Sequence, residues 1–147
     1  MAQQLAPDFE EACAPHQYAL STRAGPECVA RAIRVACELD PRATLVSFDG
    51  IGAYDHVSRR NMLAGMRHRP RLAAALPFVR LFYGHASRYV WYGDEGQSHF
   101  IEQAGGGEQG DPLMPGLFAL GQHLALEAAQ AQLLPEEALF AHLDDLY

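Results

Sequence analysis

Apolar residues recur along this chain with two different spacings, and each spacing predicts one kind of element. Intervals of three and four residues predict helices. We expect helices over residues 25–39, 57–67, 72–83 and 115–133. Alternation, or a short apolar run, predicts strands. We expect strands over residues 43–49, 87–92, 98–103 and 139–143. No repeat or low-complexity linker interrupts this order, so the pattern indicates one domain of the α+β class.

Residues at the ends of these segments support the assignment. Pro26 suits the first turn of the first predicted helix. Asp40 precedes a proline and closes that helix, because the residue before proline is disfavoured in helical backbone. Residues 93–96 begin and end with glycine and separate two alternating runs, which is typical of a β-hairpin.

Two of the predicted strands end in carboxylates. Asp49 lies at the end of residues 43–49, and Asp144 and Asp145 follow residues 139–143. Neighbouring side chains of a strand point to opposite faces, so two consecutive aspartates converge only where the backbone turns. Mg²⁺ is usually held by one or two carboxylates together with substrate phosphates. The sequence therefore predicts a cation site, with residues 43–49 antiparallel beside residues 139–143.

A third segment lies between these two acidic ends. It reads Gly105-Gly-Gly-Glu-Gln-Gly-Asp-Pro-Leu-Met-Pro-Gly-Leu-Phe118. An aspartate strand with Tyr54 shortly after it, then Gln-Gly-Asp-Pro-Leu-x-Pro, then an Asp-Asp turn resembles the palm of a reverse transcriptase of the non-LTR retrotransposon type. The similarity runs from about Tyr18 to the C-terminus.

The resemblance implies a fold, a reaction and partners. The fold would be similar to a reverse-transcriptase palm and fingers, an antiparallel sheet with helices packed on one face. Residues 1–147 would form a single partial domain, part of the fingers plus the palm, and a whole enzyme would extend beyond both ends and include a thumb. The activity implied is RNA-directed DNA polymerisation from an RNA template and a DNA primer, with deoxynucleoside triphosphates and Mg²⁺ or Mn²⁺.

The resemblance also implies roles for individual residues. The catalytic metal ligands would be Asp49, Asp144 and Asp145. The residues that contact the incoming nucleotide and its base pair would be Gly50, Ile51, Gly52, Tyr54, Gln109 and Gly110. Tyr54 would lie beneath the sugar and disfavour a ribose 2′-hydroxyl. Arg23 would contact template or phosphate.

Each role has a purely structural alternative. Tyr54 competes as a core aromatic, because such rings bury well where a strand meets a helix. Arg23 competes as a surface cation, and the aspartate pair as a solvated turn. Asp111 and Pro112 suit the N-cap and first position of the helix that follows, whatever the function.

Three residues depart from the pattern of the family. His142 stands where an aromatic is expected, and Met114 where a serine is usual. Gly116 weakens the first turn of its helix by about 1 kcal/mol relative to alanine. These departures suit either a divergent active element or a decayed copy without activity.

Charge opposes the polymerase assignment. The formal net charge is −7, whereas a protein that binds nucleic acid normally has a basic face. A non-catalytic remnant that folds or binds a partner is therefore the alternative function. A small metal-dependent phosphohydrolase would explain the aspartates but not residues 109–115.

The remaining features bear on compartment. No stretch has the length and composition of a membrane span or a signal peptide, so we expect a soluble intracellular protein. The chain has three cysteines, whose spacing matches no zinc pattern, and we expect free buried thiols. The sequence does not indicate an oligomeric state.

Overall fold

A computed structural model describes all 147 residues and contains six helices and five strands. The helices are α1 Ala2–Cys13, α2 Gly25–Leu39, α3 Ala53–His56, α4 Arg59–Arg67, α5 Pro70–Tyr83 and α6 Met114–Gln130. The strands are β1 Phe48–Asp49, β2 Ser87–Tyr92, β3 Ser98–Gln103, β4 Ala141–His142 and β5 Asp145–Leu146. All strand pairs are antiparallel. The α+β class predicted from the sequence is therefore confirmed.

The hydrophobic core lies among α1, α4, α5 and α6. Helix α6 is the central element, since nine of its residues are buried. Its Gly116 accommodates α1, because a Cβ at this position would lie 2.5 Å from the Phe9 ring. The glycine that weakens the helix is thus the residue that allows close packing. Helix α1 was not predicted, although Leu5 and Phe9 have helical spacing.

Three strands form a small sheet in the order β1-β5-β4. Strand β1 therefore pairs with β5, and the prediction that it lies beside residues 139–143 is wrong. The physical reason is a tight turn at Leu143 and Asp144, which returns the chain and inserts β5 between β4 and β1. We call β1, β5 and β4 together the acidic sheet.

The predicted strand over residues 43–49 is mostly absent. Only Phe48 and Asp49 are strand, opposite Leu146 and Asp145 respectively. Residues 44–47 have no ladder partner and are exposed, so their alternating pattern has no sheet to join. Alternation alone does not make a strand when backbone partners are missing.

The predicted hairpin is confirmed in both strands. β2 and β3 form a separate two-stranded sheet with six residue pairs, from Ser87 opposite Gln103 to Tyr92 opposite Ser98. The intervening turn closes with a hydrogen bond from Gly93 N to Gln97 O of 2.9 Å. The strands therefore form two sheets and not one.

The predicted helices differ from the structure at several ends. Residues 57–67 begin helical structure only after Ser58, whose side chain caps α4 by accepting from Asn61 N at 3.2 Å. α6 ends at Gln130, three residues before the predicted end. None of the helices has the length and apolar character needed to cross a membrane. Cys13 is buried, but Cys28 and Cys37 are exposed, so the prediction of buried thiols holds for Cys13 alone.

Candidate functional site

Asp49 and Asp145 face each other across the β1–β5 ladder. Side chains directly opposite in an antiparallel pair share a face, with Cβ atoms about 4.5–5.5 Å apart. Like charges in this arrangement repel and destabilise the sheet. None of the four salt bridges in the structure involves either carboxylate. The pair is therefore a local concentration of negative charge with no cation from the protein.

Asp144 occupies the turn between β4 and β5. A Cβ at Gly50 would lie 3.5 Å from the Asp144 Cβ, so this third aspartate packs against the backbone that follows β1. The turn depends on Leu143, which has a φ of 57°. A left-handed conformation costs a residue with a Cβ roughly 1–2 kcal/mol. The aspartates are thus presented by a strained turn.

Two glutamines hold both peptide groups of Leu143. Leu143 N donates to Gln17 Oε1 at 2.8 Å. Gln122 Nε2 donates to Leu143 O at 2.8 Å. Gln17 lies in a segment that extends the acidic sheet, since it forms a parallel bridge with Ala141 of β4. Sequence reasoning missed both glutamines, because nothing local to either one indicates a distant turn.

Tyr54 lies in α3, directly after β1 and the turn at residues 50–52. Gly52 makes this turn with a φ of 58°. The Tyr54 ring is half-buried and lies 5.0 Å from the Phe118 ring, centroid to centroid. Burial, and secondarily the negative charge of Asp144, raise the pKa of the Tyr54 phenol. The ring therefore packs at the edge of the core, and its phenol is close enough to the acidic turn for the charge of Asp144 to affect its pKa.

The triglycine segment at residues 105–107 docks on α3. Gly107 N donates to Tyr54 O, and Gly106 N donates to Val57 O, each at 2.8 Å. Gly106 has a φ of 65°, and a Cβ there would lie 2.3 Å from Asp55 O. Only glycine fits so close to another backbone. This contact brings the loop that carries Gln109 and Gly110 to the helix that carries Tyr54.

Gln109 and Gly110 are exposed at the end of this loop. Gly110 has a φ of 93°. Met114, the departure from the usual serine, is fully buried, and its Sδ lies 2.0 Å from where a Gly107 Cβ would be. Met114 thus fills the space beneath the triglycine segment. This packing gives a structural reason for methionine at that position.

Asp111 does not occupy the N-cap itself. The N-cap of α6 is Leu113, and the helix begins at Met114, so the predicted positions of Asp111 and Pro112 are wrong by two residues. Asp111 Oδ1 accepts from Leu113 N at 2.8 Å, and Asp111 O accepts from Met114 N at 2.9 Å. The carboxylate therefore closes an extra turn ahead of the helix, a capping role displaced along the chain.

The other Asp111 oxygen is held by Tyr83. Tyr83 Oη donates to Asp111 Oδ2 at 2.6 Å. Burial, followed by this hydrogen bond, raises the pKa of the Tyr83 phenol. The neighbouring Glu108 accepts from Tyr89 of the hairpin. The loop is thus tied to α5 and to β2.

Arg59 is a third residue that sequence reasoning missed at this site, after the two glutamines. Arg59 is buried, and its three side-chain nitrogens donate to three different residues. Nε bonds Gly106 O at 2.7 Å, Nη1 bonds His85 O at 2.7 Å, and Nη2 bonds Ser87 Oγ at 3.0 Å. No carboxylate pairs with it. Arg59 therefore joins α4, the triglycine segment and the hairpin.

The side chain of Arg23 has no polar partner in the protein. It is exposed, in the loop before α2, and forms no salt bridge. Its backbone oxygen accepts from Cys28 Sγ at 3.6 Å. His142, another departure from the family pattern, is a half-buried residue of β4.

The carboxylates alone do not make a complete metal site. No group of three or more His, Cys, Asp or Glu side chains is arranged to hold a metal ion. The facing Asp49 and Asp145 nevertheless fit the usual Mg²⁺ arrangement, in which one or two carboxylates share the ion with substrate phosphates and water. A cation at this position would also relieve the repulsion between them. The donor set therefore suits an ion that arrives with a phosphate ligand.

Comparison of the chain with protein-family models, curated proteins and solved structures gives no match.

Proposed function

We propose that this chain carries the palm and part of the fingers of an RNA-directed DNA polymerase, which adds nucleotides to a primer 3′-hydroxyl. The observation that carries this proposal is the cross-strand pair of Asp49 and Asp145, two carboxylates far apart in sequence that face each other in one sheet. Asp144 stands beside them at the turn. The first and last blocks of the resemblance thus contribute to one acidic surface.

The acidic surface would bind divalent cations jointly with the triphosphate of the incoming nucleotide. Mg²⁺, when bound, lowers the pKa of an attacking hydroxyl and neutralises charge on the transferred phosphoryl group. Asp49 and Asp145 would supply oxygen ligands from two strands, and Asp144 at the turn would add negative charge next to them. The protein then has to orient the reactants, since little acid-base chemistry remains for its side chains.

The residues after β1 would form the nucleotide-binding surface. Gly50 and Gly52 lack side chains and would let phosphate approach their backbone amides, and Ile51 between them is 93% exposed. Tyr54 would lie beneath the sugar, held there by its contact with Phe118. A ribose 2′-hydroxyl would clash with this ring, so deoxynucleotides would be preferred.

The docked loop would complete the surface. Gln109 and Gly110 would contact the nascent base pair and the template strand, and the triglycine contact with Tyr54 O holds their loop against α3. Arg23 would contact template RNA or its phosphates from the loop before α2. The RNA template and DNA primer would need basic surface elsewhere, given the net charge of −7.

The second candidate is a non-catalytic remnant that folds or binds a partner. The observations that favour it are the acidic net charge and the lack of a complete set of metal ligands in the protein. The two candidates differ in one measurable respect, because only the polymerase needs the carboxylates to bind a divalent cation.

Thermal melts with and without millimolar Mn²⁺ test the proposal. An ion that binds only the folded protein raises its stability by RT ln(1 + [L]/Kd). We expect Mn²⁺ to raise the Tm of the parent and of Asp94→Asn, a control in the exposed hairpin turn, but not of Asp49→Asn or Asp145→Asn. Equal responses of all four proteins would contradict the shared site.

A chimera tests the reaction itself. Residues 44–147 replace the corresponding segment of an active non-LTR reverse transcriptase, and primer extension is measured. We expect activity that is lost with Asp144→Asn and greater acceptance of ribonucleotides with Tyr54→Ala. A chimera that folds and binds primer-template but incorporates no nucleotide would favour the remnant.

A further inference from the structure

We propose that Gln17 and Gln122 are positioning residues for the acidic turn, which hold Leu143 in the left-handed conformation that directs Asp144 and Asp145 toward β1. The consequence for metal binding rests on the proposed polymerase function. The clamp itself rests on geometry alone, and the two parts can be tested separately.

The two hydrogen bonds act on opposite sides of one residue. Gln17 Oε1 accepts from Leu143 N, and Gln122 Nε2 donates to Leu143 O, both at 2.8 Å. The two peptide groups that flank the Leu143 Cα are therefore both held by side chains from outside the turn. Rotation of φ or ψ toward the favoured right-handed region would break at least one of these bonds.

Both glutamines are fixed by the elements that carry them. Gln17 is buried, and the bonds from Tyr18 N to Ala141 O and from Ala141 N to His16 O, of 2.9 and 2.8 Å, pin its segment to β4. Gln122 projects from α6, the central helix of the core. The clamp is thus part of the scaffold and does not depend on a mobile loop.

The Gln17 amide group shows what the position requires. Its Oε1 accepts from Leu143 N and Ala19 N, whereas its Nε2 is buried and has no partner. A buried donor without a partner is unfavourable, and an apolar residue would avoid it. The acceptor is therefore the group that the fold uses here, despite the orphaned donor.

Leucine at the turn is explained by the same arrangement. Its side chain is half-buried and packs against the core, a contact that glycine would lose. The turn is therefore fixed at three points, namely the side chain and two peptide groups. A turn fixed in this way keeps Asp145 opposite Asp49 even though like charges repel across the ladder.

The first experiment measures the clamp without reference to function. Amide hydrogen exchange of Leu143 is followed by NMR in the parent, in Gln17→Met and in Gln122→Met. We expect the Leu143 amide to exchange at least about tenfold faster in Gln17→Met, because its acceptor is gone. An unchanged exchange rate in folded Gln17→Met would overturn the clamp.

The second experiment measures Mn²⁺ affinity of the same proteins by calorimetric titration. Residues that orient metal ligands typically change affinity by about 10–100-fold when replaced. We expect Kd for Mn²⁺ to rise by that factor in both variants and to stay within twofold in Gln130→Met, the same change on the same helix. Unaltered Mn²⁺ affinity in both variants would overturn the positioning role.

The outcomes separate this inference from the proposed function. A parent that binds no Mn²⁺ contradicts the polymerase proposal and the positioning role, while the exchange rate still decides the clamp. Gln122 is only half-buried, so Gln122→Met decides the metal result alone if Gln17→Met fails to fold.

Leu143→Gly in the Gln122→Met background adds a rescue test. Glycine adopts left-handed backbone freely, so affinity should partly recover, whereas a further loss would count against the clamp.

Discussion

The acidic sheet and the β2–β3 hairpin are the two β structures of this protein, and they are held in opposite ways. The hairpin has six residue pairs, yet most of its side chains are exposed, including Trp91 stacked on His99. The acidic sheet has strands of two residues, yet glutamines from two distant elements fix its turn. The hairpin is thus specified locally, whereas the acidic sheet exists only because the rest of the fold holds it.

Arg59 ties the hairpin to α4 and to the triglycine segment, and its loss should have the largest effect. Arg59→Met leaves two backbone oxygens and a serine hydroxyl without their donor. The bond to Gly106 O is buried, and the bonds to His85 O and Ser87 Oγ are partly buried. We expect the free energy of unfolding in urea to fall by about 3–4 kcal/mol, since hydrogen bonds to charged groups contribute most when buried. Arg60→Met, an exposed neighbour, should change it by less than about 0.5 kcal/mol. Similar values for both variants would show that the junction contributes little.

A pair of glycines compares the hairpin turn with the triglycine segment that docks on α3. Gly106 and Gly96 both have positive φ, but a Cβ at Gly106 meets the Asp55 backbone, whereas a Cβ at Gly96 meets nothing within 4 Å. Gly96→Ala should cost about 1–2 kcal/mol from backbone conformation alone. Gly106→Ala should cost about 1–3 kcal/mol more, because the triglycine segment must move away from α3. Urea denaturation of both variants gives the difference, and equal costs would mean that the docking is loose.

The facing aspartates should show a smaller effect, of opposite sign. Without metal, Asp49→Asn removes a like-charge repulsion and should stabilise the protein by about 0.2–1 kcal/mol at neutral pH and low salt. The gain should shrink as salt screens the charges. Asp94→Asn in the hairpin turn should produce no such gain. A loss of stability in Asp49→Asn would indicate that the carboxylate has a favourable partner.

Titration of tyrosines should give the finest comparison. The pKa of Tyr54 is raised by burial and then by Asp144, and that of Tyr89 in the hairpin is raised first by its hydrogen bond to Glu108. Asp144→Asn should lower the pKa of Tyr54 and leave the pKa of Tyr89 unchanged. Glu108→Gln should lower the pKa of Tyr89 and leave the pKa of Tyr54 unchanged. Phenolate absorbance, with Tyr54→Phe and Tyr89→Phe to assign the signals, measures both. An unchanged pKa of Tyr54 in Asp144→Asn would mean that Asp144 lies too far from the Tyr54 ring to affect it.

The same shift has a consequence for stability. A folded tyrosine with a raised pKa keeps its proton when the unfolded one has lost it. The contribution of Tyr54 to the stability of the fold is therefore complete below about pH 10. It is lost as the pH rises through the pKa of Tyr54 in the folded protein. Tyr54→Phe should weaken this alkaline loss of stability.

Local patterns in the sequence predicted the parts of the fold that depend on local interactions. The hairpin and α2 have the predicted bounds, because alternation and Pro26 act within a few residues. Residues 43–49 show the limit of this reasoning, since a strand also needs a partner, and β5 pairs with only two of them. Pro7 interrupts the helical pattern of α1, and the packing of Phe9 on Gly116 outweighs it.

Some residues of the candidate site were predictable from the sequence, but its geometry was not. The aspartates and Tyr54 could be singled out because they occur in a distinctive order. The insertion of β5 between β4 and β1 could not be predicted. It depends on Leu143 in a left-handed conformation, which leucine rarely adopts. Arg59 also resembles any surface arginine in sequence. Its role follows only from where three distant acceptors converge.

The bond between Gln17 and Leu143 joins residues 126 positions apart in the chain. A contact of this sequence separation forms after local helices, because the intervening chain must first be ordered by other interactions. We therefore expect the acidic turn to be unformed in the folding transition state, so substitutions at Gln17 or Gln122 should accelerate unfolding and leave the folding rate nearly unchanged. The helical core can then assemble without bringing the aspartates together. Their mutual repulsion arises only after the core that holds the acidic turn has formed.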